Sequence, residues 1–302
     1  MNNLKYDVFI IGGSYSGLSA AMSLGRSLRK VLVIDSGKTC NRFTPHSHNF
    51  LTQDGKIPTE ISNIARHQVS KYNTVDFHNE KIEQVEQIDN GFQITLDKKS
   101  IVYAKKLIIA TGIKDIIPDM DGFEECWGKS VIHCPYCHGY EFKDHPTGIL
   151  SNSDIAFHYA QLVSNLTDKL TIFTNGQADF NTEQTTILAN RKLQIIEKKI
   201  KSIKHQNGSI QHLIFEDGSY HSLSALYYRA DFEQHSGIAK DLGCKFTDQN
   251  YIDVSNTQKT SVESVYAIGD SCSPMRSVAN AVYSGNMAGA AVNAELCTEA
   301  FN

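Results

Sequence analysis

No apolar run in this chain approaches the roughly 20 residues that a membrane-crossing helix requires. The longest, such as DVFIIGG and KVLVIDSG, are short. Basic stripes and acidic tails are missing too. With a net charge of -4 and a pI of about 6.3, the chain offers neither the footprint of a nucleic-acid binder nor a solvating arm. The opening MNNLKYDVFIIGG lacks a basic stretch followed by an apolar one, so no secretory signal is expected, and the expected location is the cytoplasm. Repeats and low-complexity segments are absent. The seven cysteines, at 40, 126, 134, 137, 244, 272 and 297, are odd in number and scattered. A structural disulfide framework is therefore not expected, and a lone close pair in a reducing compartment points to metal binding or catalysis.

What is present suits a packed soluble protein of about two domains: 302 residues, 41% hydrophobic and 21% charged. The most legible segment is YDVFIIGGSYSGLSAAMSLGRSLRKVLVIDSG. DVFII and KVLVID read as buried strands, with GLSAAMSLGRSL as a helix between them. This is the strand–turn–helix–strand opening of a dinucleotide-binding unit. Gly12 makes the tight turn and Gly17 lets the helix approach the strand. Ser14, standing where a second glycine is usual, is small enough to leave the helix N-terminus open to a pyrophosphate. Asp35 ends the second strand, where an acid accepts ribose hydroxyls.

Two later segments are strand ends of the same kind: KKLIIATG, closing on Thr111-Gly112, and SVYAIGDSCSPMRSVANAVYSGNMAGAAV, with Gly269-Asp270 before a helix of small residues. They resemble the second and third FAD fingerprints of flavoproteins with two dinucleotide-binding domains. That resemblance implies that Asp270 meets the ribityl–phosphate region, with Arg276 and Ser277 close to the flavin ring.

HCPYCHGYE, residues 133–141, holds the densest chemistry. A zinc site from His133, Cys134, Cys137 and His138 is disfavoured, because adjacent side chains do not converge on one ion and no second CxxC or HxxxH exists. An inert pair is also a weaker reading, since an FAD fold gives the pair an electron partner. An FAD domain split by an insertion that carries a CxxC resembles the low-molecular-weight thioredoxin reductases over essentially the whole chain. The CPYCHGYE form resembles the branch that includes fungal dithiol oxidases such as gliotoxin oxidase; His138 replaces the aspartate usual after the CxxC. CNRFTPHSHNFLTQDGKIP, residues 40–58, resembles the same wider group. The resemblance assigns the flavin-proximal role to Cys137 and the interchange role to Cys134. His138 is a candidate proton shuttle, with a structural role as its alternative, and Glu141 is a candidate to tune it. Asn41, Arg42, His46 and His48 lie in a loop that the resemblance puts near the flavin; a solvent-facing fate is the alternative for His48.

The inserted domain of such reductases carries a glycine-rich turn for NADPH. The matching turn here is Ser151-Asn152-Ser153-Asp154, between TGIL and DIAFHYAQLVSNL. It has no glycine, Asp154 repels phosphate, and no arginine follows the next strand to pair a 2′-phosphate. Tight NADPH binding is not expected.

The expected fold is α/β, with two Rossmann-like three-layer domains and small antiparallel hairpins turned at Asp89-Asn90-Gly91, Asn207-Gly208 and Asp217-Gly218. The FAD domain is expected to be discontinuous, 1–114 and 237–302, around a central CxxC-bearing domain, 115–236. The expected activity is FAD-dependent dithiol–disulfide exchange with a small-molecule dithiol or a thioredoxin-like protein. Oxygen or a protein electron donor completes the circuit, and the resemblance implies a homodimer. An ordinary NADPH-dependent thioredoxin reductase and a non-catalytic redox sensor are the alternatives. No nucleic-acid, membrane or metal partner is expected.

Overall fold

The computed structural model describes residues 5–37, 39–80, 82–97 and 100–302; the first four residues of the opening segment read above lie outside these. The chain begins with β1 (Lys5–Ile11), α1 (Tyr15–Arg26), β2 (Val31–Ile34), α2 (Pro58–Val69), β3 (Val75–His78), β4 (Ile82–Ile88), β5 (Gly91–Leu96) and β6 (Ile101–Ile109). A short strand, β7 (Ile113–Ile116), leads out. Next come α3 (Phe123–Cys126), β8 (Val131–Ile132), α4 (Pro135–His138), β9 (Thr147–Leu150), α5 (Ser153–Val163), β10 (Leu170–Phe173), α6 (Thr182–Asn190) and β11 (Gln194–Ile196). β12 (Ile200–Gln206), β13 (Ser209–Phe215), β14 (Tyr220–Ser222) and β15 (Ala225–Tyr227) follow. The chain returns through β16 (Asp231–Gln234) and ends with α7 (Ile238–Asp241), β17 (Val265–Ala267) and α8 (Val278–Phe301).

The large sheet has the order β3-β2-β1-β6-β5-β4, with β17 also paired to β6. One edge of β6 serves two partners in turn: residues 101–104 pair antiparallel with β5, and residues 107–109 pair parallel with β17. Side chains alternate across the central strands, as a period of two requires. Phe9, Ile11, Leu32, Ile34, Leu107 and Ile109 fill one core. Val8, Ile10, Val31, Val33 and Ile108 fill the other, beneath α1 and α8. Burial on both faces explains why these strands read as continuous apolar runs. The central elements form a parallel sheet, β11-β10-β9-β15-β8, and an antiparallel one, β12-β13-β14. The two-stranded ribbon of β7 and β16 joins the halves of the molecule. The hairpin turns lie where the sequence puts them, between β4 and β5, β12 and β13, and β13 and β14. The helix expected at 154–166 is shorter; α5 stops at Val163.

α8 is pinned to the large sheet by a buried charge cluster. Lys106 of β6 is 2% exposed and donates to Ser264 Oγ (3.0 Å), Glu295 Oε1 (2.6 Å) and Glu299 Oε1. Glu295 also accepts from Lys259 (3.1 Å) and Tyr266 (2.5 Å). Burial disfavours the Lys106 charge, but the two glutamates outweigh it and raise its pKa. Lys106→Ala strands two carboxylates against an apolar sheet, so it is expected to cost about 3 kcal/mol. Urea denaturation reads this as a lower midpoint at unchanged slope; an unchanged midpoint contradicts the clamp.

Candidate active site

A cleft of about 590 Å³ opens at the carboxyl ends of β1, β2, β6 and β17 and runs to the CxxC, the position where open α/β sheets bind ligands. Gly12, Ser14, Asp35, Thr111, Gly112, Gly269 and Asp270 line its inner part. Gly12 has φ +109°, and a Cβ there would lie 2.2 Å from the Ala110 carbonyl oxygen, so only glycine lets β1 and β6 end so close together. Gly17 does not line the cleft. A Cβ there would meet the Gly12 carbonyl oxygen at 1.9 Å, which places this glycine between helix and turn.

The residues present fit a dinucleotide. α1 has no side-chain cap from Ser14 and no acid in its first turn, so its leading N–H groups face the cleft for an anion. Thr111 Oγ1 and Asn41 Oδ1 are buried without hydrogen-bond partners. Each is an unmet polar atom that a polar ligand satisfies.

The far wall comes from Asn41, Arg42 and His48 in the loop after β2, from Arg276 and Ser277 before α8, and from His133, Cys137 and His138. Asn41 Nδ2 donates to Tyr15 Oη (3.2 Å), Arg42 stacks on Phe43 at 4.2 Å, and Ser277 caps α8 by accepting from Asn280 N (3.1 Å). His46 turns aside; its Nδ1 lies 2.9 Å from the Gly55 carbonyl oxygen.

The CPYC sequence builds its own geometry. Cys134 is extended and precedes a proline at the first helical position, which starts the single turn of α4. That turn brings Cys137 beneath Cys134, with Cα atoms 5.3 Å apart, and the two sulfurs are bonded. Cys137 lines the cleft and Cys134 does not. Glu141 is also outside the lining. Its Oε1 lies 3.4 Å from Nε2 of His48, whose Nδ1 is 3.6 Å from Asp54. The His138 ring stands perpendicular to that of His48, centroids 6.2 Å apart. Glu141 thus sits nearest a histidine from the other half of the molecule and acts on His138 through space. Burial pushes the His138 pKa down, Glu141 pulls it up, and His48 adds to the lowering. Among the described residues, no cluster of His, Cys, Asp or Glu is placed to hold a metal ion.

Three groups in the cleft were not singled out as site residues from the sequence. Asp115 of β7 pairs bidentately with Arg276, at 2.8 and 3.0 Å. Burial opposes the guanidinium charge, but Asp115 overrides it and raises the pKa. Cys40 faces the same guanidinium at 3.9 Å, and burial followed by Asp270 pushes its thiol up to about 11. Asp270 itself is pushed up by burial, with Arg276 pulling the other way. His133 packs on Trp127 (centroids 6.2 Å), its Nε2 unpartnered. Burial, then Arg276, push its pKa to about 4. Alternation in the IKDI segment marks Asp115 as inward-facing, but nothing local names Arg276 as its partner.

Two dinucleotide-type units, with a disulfide at the mouth of the first unit's cleft, define a flavin-type oxidoreductase acting on sulfur groups. The chain belongs to the pyridine nucleotide-disulphide oxidoreductase family, whose model matches residues 6–285; FAD is the family's cofactor, with NADPH as its partner cofactor. It is 31% identical to the thioredoxin reductase tcpT of Claviceps purpurea (strain 20.1), over 97% of this chain and 95% of that one. Among solved structures, it is similar to the oxidoreductase from Agrobacterium tumefaciens, at 34% identity and a TM-score of 0.92 over 98% of this chain and 99% of that one. It is also similar to HlmI, at 29% identity and a TM-score of 0.92 over 98% and 94%. No helix among the described residues is long and apolar enough to cross a membrane.

His133 gives the site a pH signature. Its imidazole charges near pH 6.5 in the unfolded chain and only near 4 in the native one. As pH falls from 6.5 toward 4, the unfolded chain binds a proton that the native chain refuses. Stability drops by about 1.4 kcal/mol per unit over that window and is unaffected above it. Thermal melts between pH 4 and 8 should show a shallower acid decline for His133→Asn than for wild type; parallel curves contradict the assignment.

Proposed function

We propose that this protein is a thioredoxin reductase-like enzyme that exchanges electrons between FAD and a dithiol or disulfide through Cys134–Cys137, without efficient use of NADPH. In this reading the FAD-binding domain comprises residues 1–114 and 237–302, and residues 115–236 form the central domain. Gly12, Ser14, Gly17, Asp35, Asn41, Arg42, His48, Thr111, Gly112, Gly269, Asp270, Arg276 and Ser277 serve the cofactor. Cys134, Cys137, His138 and Glu141 serve the chemistry.

The observation that carries it is the turn at the start of α5. Asn152 Oδ1 accepts from Ser153 N (3.0 Å) and from Asp179 N (2.9 Å), while Asn152 Nδ2 donates to the Gln177 carbonyl (2.9 Å). Ser153 Oγ donates to Asp179 Oδ2 (2.9 Å), and Asp154 is held by Gln184 Nε2 (2.6 Å). The first N–H of the helix is taken by the chain's own Asn152 side chain, and two carboxylates, Asp154 and Asp179, stand beside the turn that would cradle a pyrophosphate.

FAD supplies a two-electron acceptor when bound. A substrate thiolate attacks Cys134 Sγ, the Cys134–Cys137 bond breaks, and Cys137 leaves with the electron pair. The second substrate thiol, giving up its proton, then displaces Cys134. The substrate becomes a disulfide, and the enzyme pair holds two electrons. His138, uncharged in its buried setting, is placed to take the proton that a Cys137 thiol releases. Oxygen or a protein acceptor then removes the electrons, with a small-molecule dithiol or a thioredoxin-like protein as substrate. We further propose a homodimer in the cytoplasm. Exposed Ile57, Ile64 and Tyr283 support a contact surface, and five free cysteines support a reducing compartment.

Anaerobic titration tests the reading. A dithiol should bleach the flavin absorbance of wild type, while NADPH in excess leaves it largely oxidised. Rapid stoichiometric bleaching by NADPH restores an ordinary NADPH-dependent reductase. Cys137→Ser should keep its FAD and lose dithiol bleaching by at least about 100-fold; loss of the yellow colour on purification counts against the role given to Cys137.

A further inference from the structure

The proton state of His138 decides whether it can accept a proton from Cys137, so the groups around it matter. Glu141 faces it from the turn that follows α4. His48 faces it from the loop after β2, and His133 acts on it from the end of β8. Tyr227 of β15 lies within electrostatic reach of Glu141. Asp54 and His46 stand behind His48, Asp54 Oδ1 at 3.6 Å and the His46 ring at 6.3 Å.

Of these, Glu141 is the carboxylate in reach of His138, three residues along the chain. Left to itself, it stabilises the His138 cation. Here it still pulls the His138 pKa up through space, but its Oε1 lies against Nε2 of His48, at 3.4 Å. His48 belongs to the other domain, so this contact exists only while the two domains touch at the cleft. The touching surface is close: a Cβ on Gly128, between α3 and β8, would lie 3.0 Å from Phe43 Cβ. The same loop, residues 39–57, therefore carries both His48 and the close interdomain contact.

We propose that His48 is a positioning residue that draws the Glu141 carboxylate away from His138 while the two domains are docked. The docked arrangement then keeps His138 a proton acceptor at the moment Cys137 faces the cleft. Loss of His48 hands Glu141 back to His138 and turns the ring from acceptor to donor. The use made of His138 rests on the redox reading of Cys134–Cys137; the pairing of the three side chains does not.

The test is a titration of the His138 ring by NMR, on the oxidised flavoprotein carrying carbon-labelled histidine, with the signal assigned by His138→Asn. In wild type the midpoint should lie below the ordinary histidine value. In His48→Asn it should rise by about one pH unit, as expected for a carboxylate gained as neighbour. Made in a Glu141→Gln background, the same His48→Asn change should give a clearly smaller rise, because only the direct repulsion between the two rings is then lost. His48→Gln should give the same shift and guards against a folding fault peculiar to asparagine. A His48 that does not hold Glu141 leaves the His138 midpoint in place or moves it equally with and without Glu141, and either result overturns the proposal. No NADPH and no dithiol enter the experiment, so bleaching by NADPH would sink the proposed function and leave this titration standing.

Discussion

The close approach of α1 to α8 is the constraint on which the cleft depends. A Cβ on Gly285 would lie 2.1 Å from the Ser16 carbonyl oxygen, and one on Gly289 would lie 2.7 Å from Ser23 Cβ. Ser19 Oγ crosses the interface to the Val282 carbonyl at 2.7 Å. Small residues let the two backbones touch, and the contact fixes where both helices begin. α1 begins beside the Gly12 turn, and α8 begins beside the Gly269-Asp270 turn, tied by Ser284 Oγ to Gly269 N at 3.0 Å. Two segments more than 250 residues apart thus share one space at the strand ends. A larger side chain at Gly285 would separate the helices and pull the walls of the cleft apart.

The two βαβ turns show how one scaffold carries opposite chemistry. At the first, Ser14 spends no side chain on the helix, so the leading N–H groups remain available to an anion. At the second, Asn152 caps α5 and also holds the 177–179 loop. A capped helix gains stability of about 1 kcal/mol, and in the proposed reading the same bonds disfavour an anion at this turn. Ligand capacity and helix capping compete for the same N–H groups, so the two turns differ in capping without differing in fold.

Legibility in the sequence followed the range of the interaction. The βαβ opening and the hairpin turns depend on neighbours within a few residues, and their local patterns are plain. The fingerprints at Thr111 and Asp270 were readable because each marks a strand end that the sheet brings to one edge. Side-chain partnerships across the fold were not. Arg276 carries its charge openly, yet its partner Asp115 is an ordinary acid on a short strand, 161 residues away. Glu141 looked tied to His138 by proximity in sequence, and folding brought His48 nearer. Charge pairs of this kind have no period and no spacing, so composition cannot announce them. The shorter α5 has a local cause, since Ser164 and Asn165 are weak helix formers that compete for backbone hydrogen bonds.

The electrostatics of the cleft explain why proton acceptors matter beside this disulfide. Burial pushes Cys40 and Asp270 toward their protonated forms, and His133 and His138 toward theirs without a proton. Arg276 is paired with Asp115 of β7. The part of the cleft nearest these groups therefore disfavours charge of either sign. A thiolate formed at Cys137 in such surroundings is disfavoured, so in the proposed reading opening and closing the disulfide moves a proton with the electron pair. The proposed role of His138, whose pKa burial lowers, is to meet that need from the same turn. A fixed carboxylate next to the CxxC would add negative charge where the environment already rejects it, which gives a physical reason for histidine at position 138 in a cleft of this polarity.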